Sequence, residues 1–495
     1  MLQFFLDLSF VLYLTASAGL LFYGLNCYVL LILFARKTGE TRIRQQLAED
    51  TWNQAHPPGD ASQLPKITTQ LPLYNEFNVA ERAIRAIAAF DYPPELHQIQ
   101  ILDDSTDETR ELVDGISAEL RRKGIWIDVV RRETRKGYKA GALGDAMASA
   151  HGEFIAIFDS DFVPEPDFLR RMLPHLADEN TGLAQARWGH LNREESLLTR
   201  AQSVGIDGHF AIEQTARSAN HLFLNFNGTA GIWRRAAIKD AGGWMADTLT
   251  EDLDLSYRAQ LKGWHLEYVP SVVVPAELPE TYSAFKSQQF RWAKGSIQTA
   301  IKLFPKVYHS DRSPLAKVQA IFHLCHYLAH PLMLLVALLA LPALQYLGGS
   351  IHHLWLLVFS IPLLFSTCGP AVLYTISQRH LYPADWKSRI LLLPGLMLVG
   401  FGICISNTRA VLEAILGIKS GFIRTPKRGA SEAMSYRTAA EIVPWLEIAA
   451  GIYCLITLVI YVRGGNFAIV PFISLYVAGF ALVGVSSLRE QATKA

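Results

Sequence analysis

The pattern of hydrophobic and polar positions differs between regions of the chain. Residues 8–35 form one apolar run, longer than the roughly 20 residues that a helix needs to cross a bilayer. From about 66 to 280, short apolar runs alternate with segments whose apolar residues recur every three or four positions. Further long apolar runs lie at roughly 323–346, 354–376, 390–416, 444–463 and 467–486. The pattern predicts an α/β domain between helices that span a membrane.

Within the α/β region, short apolar runs predict strands and periodic segments predict helices. The predicted strands are KITTQLPLY (66–74), HQIQILDD (97–104), IWIDVV (125–130) and EFIAIFDSD (153–161), and the helices are NVAERAIRAIAAF (78–90) and KAGALGDAMASA (139–150). Their alternation favours a βαβ sheet covered on both faces. Ligands of such sheets bind at the carboxyl ends of the strands, where the acidic clusters of this chain fall.

The run at 390–416 differs from the other long apolar runs. SNTR at 406–409 interrupts it, and basic residues flank it on both sides. A charge at the centre of a span is unfavourable and basic flanks favour the cytoplasm, so we expect a re-entrant or interfacial helix. Five spans remain. Arg36 and Lys37 follow the first span, which places the N-terminus outside and the α/β domain in the cytoplasm. We therefore expect a multi-pass protein, located in a bacterial inner membrane or an equivalent one.

Seven segments follow from these features. In chain order they are a first span (1–36), a linker (37–65), the α/β domain (66–282), interfacial helices (283–320), two spans (321–378), an interfacial or re-entrant helix with a loop (379–443), and two spans with a short cytoplasmic tail (444–495). The lipid bilayer is therefore a predicted partner.

Composition narrows the possible functions. Half of the residues are hydrophobic, 18% are charged and the net charge is +1, without a basic stripe interleaved with aromatic residues. Nucleic acid is therefore not an expected partner. The five cysteines lack CxxC spacing and are expected to be apolar filling residues. The sequence identifies no protein partner.

Two acidic clusters follow predicted strands. LDDSTDE (102–108) carries Asp103 and Asp104, and IFDSDF (158–163) carries Asp159 and Asp161 on one side of the chain. Carboxylates this close resist joint ionisation unless a cation such as Mg²⁺ or Mn²⁺ lies between them. The alternatives are a helix cap and a plain turn at a strand end. No P-loop and no GxGxxG motif is present, so the pattern favours a nucleotide diphosphate bound through metal.

A third acidic cluster, TEDLDLSYR (250–258), suits a helix that begins after Thr250. Glu251 and Asp252 supply more acid than a cap requires. A carboxylate beside a metal–diphosphate site can act as a general base on a sugar hydroxyl. The cluster therefore predicts either a helix start or a catalytic base.

The segment QQFRW (288–292) allows two interpretations. As a snorkelling helix it directs Phe285, Phe290 and Trp292 to lipid and Lys286, Arg291 and Lys294 to water. Helical spacing also places Gln288, Arg291 and Trp292 on one face, where they can hold a diphosphate and a sugar ring. Further along, His323, His326 and His330 share a helix face, for which polar lining or helix contacts are expected more than a metal site.

The order of DDS, DxD, ED and QxxRW resembles the family 2 processive β-glycosyltransferases, which include cellulose synthase, and above all the plant cellulose-synthase-like A and C groups. GYKAGAL (137–143), FNGTAGIWRRAAIKDAGGW (226–244) and ELPETYSAFKSQQFRW (277–292) read like text of that family. The resemblance covers about 67–305. It implies an α/β GT-A (Rossmann-like) domain with a helical membrane bundle, a nucleotide-sugar donor, a divalent metal and inversion at the anomeric carbon.

The resemblance also assigns roles to residues. Asp252 would be the base, with Glu251 beside it, and Asp159 and Asp161 would hold Mg²⁺ or Mn²⁺. The expected substrate-binding residues are Asn75, Glu76, Asp103, Asp104, Lys139, Asp159, Phe226, Asn227, Gly228, Thr229, Gln288, Arg291 and Trp292. FIRTPK (422–427) is similar to the family's gating loop, which adds Thr425 and Lys427, although Arg424 and Pro426 depart from its pattern.

These features lead to an expected reaction with open alternatives. We expect a membrane enzyme that transfers glucose from UDP-glucose to a growing β-glucan or related glycan acceptor and passes the polymer through its spans. One alternative is a mannan synthase that uses GDP-mannose. Another is transfer of a single sugar to a lipid such as ceramide or diacylglycerol.

Overall fold

A seven-stranded sheet forms the centre of the globular part of this computed structural model, which describes residues 2–57, 62–347, 353–419 and 442–494. The strands are β1 (Ile67–Leu73), β2 (His97–Asp103), β3 (Ile127–Val130), β4 (Phe154–Ile157), β5 (Thr181–His190), β6 (Gly231–Arg234) and β7 (His265–Ala276). Their order is β3-β2-β1-β4-β6-β5-β7. All neighbours are parallel except β6, which is antiparallel to β4 and β5.

The predicted βαβ alternation is confirmed, because the first four strands are parallel and fall within the predicted runs. The direction of β6 was not predicted, since a four-residue strand carries no signal of its orientation. Most positions of β1 and β2 are buried on both faces of the sheet, as expected for strands without polar alternation. Apolar residues of α2, among them Ala83, Ile84 and Ile87, cover one face at helical spacing.

The helices frame the sheet and then continue into the apolar part of the chain. They are α1 (Leu2–Ala55), α2 (Phe77–Ala88), α3 (Thr109–Arg122), α4 (Tyr138–Ala146), α5 (Phe168–Met172), α6 (Leu197–Gly208), α7 (Thr215–Ala219), α8 (Arg235–Asp240), α9 (Glu251–Leu261), α10 (Tyr282–Tyr308), α11 (Pro314–Leu324), α12 (Ala329–Tyr346), α13 (His353–Leu381), α14 (Trp386–Arg389), α15 (Leu393–Gly402), α16 (Cys404–Ile415), α17 (Val443–Arg463) and α18 (Val470–Lys494). A π-helical turn, His209–Gln214, joins α6 to α7.

The first helix extends far beyond the predicted span. The linker predicted for 37–65 is helical as far as Ala55, so that prediction is wrong over most of its length. The reason is tertiary contact: Arg44 pairs with the buried Glu267 of β7 at 2.9 Å, and Gln45 donates to the same carboxylate at 2.6 Å. These contacts hold the polar half of α1 against the sheet.

Five helices among the described residues are long and apolar enough to cross a membrane: Gln3–Ala55, His326–Tyr346, Ser360–Leu381, Val443–Arg463 and Val470–Ala492. A sixth candidate is the pair Trp386–Gly402 and Cys404–Ile415, bent by 45° at its break. The bend falls in the run for which a re-entrant or interfacial helix was expected. The orientation of the spans and the location of the α/β domain stay predictions.

Candidate active site

The ends of β1 and β2 bring together the first group of candidate residues. Asn75, in the left-handed region at a φ of 53°, donates its backbone N–H to Ser105 Oγ at 2.9 Å, and its side-chain oxygen accepts from the Thr106 N–H at 2.8 Å. Glu76 is buried at the start of α2. Adjacent parallel strands thus unite two motifs that lie about thirty residues apart in sequence.

Arginine side chains form ion pairs with both carboxylates of the DDS motif. Arg131 Nε donates to Asp103 Oδ2 at 2.8 Å, and Arg132 donates to both oxygens of Asp104, at 3.0 Å from Nε to Oδ1. The guanidinium of Arg135 stacks on the ring of Tyr74, 3.3 Å from its centroid. Sequence reasoning missed these arginines, although RRETR directly after β3 was a visible cationic signal at the same sheet edge.

Lys139 connects α4 to the DSD motif. Its Nζ lies 2.5 Å from Asp159 Oδ1 and 2.8 Å from the carbonyl oxygen of Gly228. Burial alone would lower the pKa of Lys139, but the carboxylates of Asp159 and Glu251 outweigh it, and the pKa lies above its ordinary value. The ammonium therefore stays charged at the point where a diphosphate would need a cation.

Asp159 and Asp161 fit a partial ligand set for a divalent metal. Asp161 is buried, Asp159 is half-buried, and both offer the hard oxygens that Mg²⁺ and Mn²⁺ prefer. Within the described ranges, no group of three or more His, Cys, Asp and Glu side chains is arranged to hold a metal ion. The two aspartates thus suit a cation that keeps substrate phosphates as further ligands.

The loop of residues 225–230, which contains FNGT, lies between the sheet and the candidate base. Phe226 is fully buried, and Thr229 Oγ1 accepts from the Asp159 N–H at 2.8 Å. The φ of Gly228 is +82°, a conformation that favours glycine, and a Cβ added there would lie 2.8 Å from Asp252 Oδ2. Gln185 of β5, missed in the sequence, accepts from the Asn227 N–H at 3.0 Å.

Asp252 has the electrostatics of a general base. It lies in the first turn of α9, half-buried, beside the buried Glu251. Burial and the charge of Glu251 raise the pKa of Asp252 from 3.8 to about 7, against the opposing effects of Lys139 and Arg291. Thr250 occupies the N-cap position, but its side chain makes no capping bond. The predicted helix start is confirmed, since α9 begins directly after Thr250, and it is compatible with a catalytic role for Asp252.

The helix α10 carries Gln288, Arg291 and Trp292, all half-buried, with Arg291 near enough to lower the pKa of Asp252. Trp292 packs against a cluster that includes Tyr327 and Val411, so it faces the membrane helices. This arrangement unites the QxxRW segment with the candidate base, as the resemblance implies.

The snorkelling interpretation of α10 is wrong for both lysines. Lys294 is fully buried and pairs with Glu413 of α16 at 2.7 Å, and Lys286 is buried and pairs with Glu447 of α17 at 3.1 Å. Phe285 also packs inward, against a cluster with Val399 and Val483. The physical reason is that carboxylates from other helices neutralise the lysines, so they have no need to reach water.

A carboxylate from the apolar helix α18 also caps the first turn of α10. Glu490 of α18 accepts the backbone N–H of Tyr282 at 2.7 Å and that of Ser283 at 2.9 Å. These N–H groups have no partner within a helix, and a negative charge there opposes the positive end of the helix dipole. Three buried or half-buried carboxylates thus fix α10 to α16, α17 and α18.

The histidine face and the FIRTPK loop are the remaining sequence expectations. His323 bonds Tyr257 at 2.8 Å and Asn225 at 3.0 Å, His326 bonds the His323 carbonyl oxygen at 2.7 Å, and His330 bonds Asn407 at 3.0 Å. Contacts with other parts of the chain, one of the two expected alternatives to a metal site, account for His323 and His330, whereas His326 bonds the backbone of its own segment. Thr425 and Lys427 lie outside the described residues.

A mixed, mainly parallel sheet with acidic residues at its strand ends, facing one charged helix, is the GT-A glycosyltransferase fold. A solved structure with this fold is similar: a mannosyltransferase from Pyrobaculum calidifontis in complex with GDP-Man and Mn²⁺, with a TM-score of 0.50 and 20% identity, covering 79% of this chain and 99% of that one. At this identity the likeness concerns the fold alone. Residues 65–295, a little under half of the chain, match the model of the family described as glycosyltransferase like family 2.

Curated relatives come from plants. Glucomannan 4-beta-mannosyltransferase 2 of Arabidopsis thaliana is 44% identical over 257 residues, which cover 51% of this chain and 48% of that protein. Glucomannan 4-beta-mannosyltransferase 1 of Cyamopsis tetragonoloba is 40% identical over 288 residues, or 56% and 55%. The chain thus spans about half the length of these relatives.

Proposed function

We propose that this protein is an inverting hexosyltransferase that transfers mannose from GDP-mannose to a growing β-1,4-linked glycan. The observation that carries the proposal is the position of Asp252. It lies next to the pair of Lys139 and Asp159, and close enough to Arg291 for that positive charge to lower its pKa. The choice of mannose rests on the plant relatives, which are named as mannosyltransferases. The expected UDP-glucose donor lacks such support.

In the proposed reaction, Asp252 accepts the proton of the acceptor hydroxyl as that oxygen attacks the anomeric carbon. The bond from the anomeric carbon to the diphosphate breaks on the opposite side, and Arg291 and Lys139 stabilise the negative charge of the departing nucleoside diphosphate. A divalent metal on Asp159 and Asp161 supplies further charge stabilisation when it is bound. Asp104 and Asn75 lie at the sheet edge where the nucleoside end would bind.

The surroundings of the site favour a polymer over a glycolipid product. Trp292, which offers a stacking surface for a sugar, packs directly against residues of the membrane helices. Polar residues also lie on the neighbouring helices, where His323 bonds Asn225 and His330 bonds Asn407. We therefore include passage of the product through the spans in the proposal.

Labelled donors test the proposal directly. The full chain, purified in lipid nanodiscs, would be incubated with GDP-mannose or UDP-glucose, each radiolabelled, and with Mg²⁺ or Mn²⁺. We expect label from GDP-mannose in an ethanol-insoluble product that an endo-β-1,4-mannanase releases. Label that enters only from UDP-glucose would reject the choice of sugar, and a product soluble in chloroform and methanol would reject the polymer.

The pH dependence of transfer follows from Asp252. Its pKa is raised to about 7, and only the ionised carboxylate accepts a proton, so activity requires a pH above that value. We expect kcat/KM to fall about tenfold for each pH unit below about 7 and to level off above it. Initial rates between pH 5.5 and 8.5, with melting temperatures at each pH as the control, measure this. A profile that is flat down to pH 5.5 would contradict the prediction.

A further inference from the structure

The π-helical turn His209–Gln214 directs its polar side chains at the loop of residues 225–230. Such turns are rare and occur often at functional sites, because one extra residue per turn redirects the side chains around it. Gln214 Nε2 donates to Asn227 Oδ1 at 2.6 Å and to the Asn225 carbonyl oxygen at 3.0 Å. His209 Nε2 lies 3.2 Å from Asn227 Nδ2. The turn therefore holds the Asn227 amide at both ends.

These contacts fix the proton positions. Gln214 can only donate through Nε2, so the oxygen of the Asn227 amide must face it and the NH₂ group must face His209. His209 Nε2 is then the acceptor, and the ring proton resides on Nδ1, which lies 3.0 Å from Glu213 Oε2. The result is a chain from the Glu213 carboxylate through the His209 imidazole to the Asn227 amide.

Glu213 is suited to hold this arrangement. Burial would raise the pKa of Glu213, but His209 and Arg217 outweigh it, and the pKa lies below its ordinary value. The carboxylate is therefore charged and accepts the Nδ1 proton of His209. Such a partner selects one tautomer and one orientation of an imidazole ring.

The same loop borders the catalytic groups. Next to Asn227, the carbonyl oxygen of Gly228 accepts from Lys139 at 2.8 Å, and an added Cβ there would meet Asp252 Oδ2 at 2.8 Å. On its other side, Asn225 Oδ1 lies 3.0 Å from His323 Nε2 of α11. The loop thus lies between the base that acts on the acceptor and the helices that lead into the bundle.

We infer that His209, held by Glu213, is a positioning residue for the glycan acceptor, because it orients the amide of Asn227, whose chain neighbour Gly228 borders the Asp252 carboxylate. This inference rests on the proposed function, since it assigns the acceptor end of that same site. His209 acts through the side chain of Asn227, whereas Lys139 and Asp159 bond the backbone carbonyl of Gly228 and the side chain of Thr229. Loss of the His209 contact with Asn227 should therefore weaken the use of acceptor and leave donor binding unchanged.

Two substitutions of His209 separate positioning from plain packing. In His209→Gln the side-chain oxygen can reach the place of Nε2 and accept from Asn227, whereas the shorter side chain of His209→Asn cannot. With manno-oligosaccharide acceptors, we expect His209→Asn to raise the acceptor KM about tenfold, the effect of one hydrogen bond. His209→Gln should stay near the wild-type value, and the dissociation constant of GDP should be the same in all three proteins.

A double-mutant cycle completes the test. If His209 acts through Asn227, His209→Asn should have little further effect in an Asn227→Ala background. The inference is overturned if His209→Asn has wild-type acceptor KM, or if both His209 variants lose activity in parallel with their melting temperatures. Failure of the proposed function gives a different result, namely no transfer by the wild-type protein from either labelled donor.

Discussion

Replacement of Asp252 by asparagine should lower kcat for sugar transfer roughly 100- to 10,000-fold, the range for loss of a general base. The amide keeps the shape of the side chain, and its oxygen can still accept from the Leu253 N–H that lies 2.8 Å from Asp252 Oδ1. It cannot take the proton of the acceptor hydroxyl. The dissociation constant of the nucleotide should therefore change little, so the loss should appear in single-turnover rates with bound donor.

Asp254 provides the matched control in the same helix. Its carboxylate is fully buried and pairs with Arg258 and Lys302, each at 2.8 Å, so its role is structural. Asp254→Asn should lower the melting temperature more than the rate per folded molecule. If Asp252→Asn transfers sugar at the wild-type rate, the base lies elsewhere. Glu251→Gln would then be the next variant to measure, because Glu251 is the other acid of the motif.

Glu447→Gln should lower the free energy of unfolding by about 3–5 kcal/mol, because it leaves the charge of Lys286 buried without its carboxylate. The side chain of Lys286 is only 6% exposed, and the carboxylate of Glu447 is fully buried. Adding Lys286→Met should recover most of the loss, since a neutral, apolar side chain of similar length needs no partner. Denaturant unfolding in detergent micelles, followed by tryptophan fluorescence, compares the three proteins.

An exposed ion pair serves as the reference for this experiment. Lys37 and Glu40 lie 2.6 Å apart on α1, with 47% and 69% of their side chains exposed. Glu40→Gln should change the free energy of unfolding by at most about 1 kcal/mol. Equal effects of Glu40→Gln and Glu447→Gln, or a double variant no more stable than Glu447→Gln, would show that the buried pair is not what stabilises this junction.

Local patterns were sufficient where a motif and its strand are adjacent in sequence. Asp103, Asp104, Asp159 and Asp161 all follow apolar runs that are strands, so the sheet edge could be predicted from the sequence. The partners of these acids could not, because Arg131, Arg132 and Lys139 reach them only after the sheet has folded. Lys139 was predicted as a substrate-binding residue from the family resemblance, and the periodicity of the chain alone would not have indicated it.

The lysines of α10 show the limit of the sequence pattern most clearly. On one helix, Lys286 and Lys294 among aromatic residues have the spacing of a snorkelling face. Their carboxylates, Glu447 and Glu413, lie 161 and 119 residues further along the chain, where they stand singly among apolar residues. No local period links such positions. The position of the π-helical turn was equally hidden, since HFAIEQ has no distinctive composition.

The contacts of α10 with three carboxylates from later helices, Glu413, Glu447 and Glu490, have a consequence for biogenesis. A chain is synthesised from its N-terminus, so α10 leaves the ribosome before α16, α17 and α18 exist. Until then Lys294 lacks Glu413, Lys286 lacks Glu447, and the first N–H groups of α10 lack Glu490. The helix that bears Arg291 therefore gains its last ion-pair and capping partners only after α16, α17 and α18 have been synthesised.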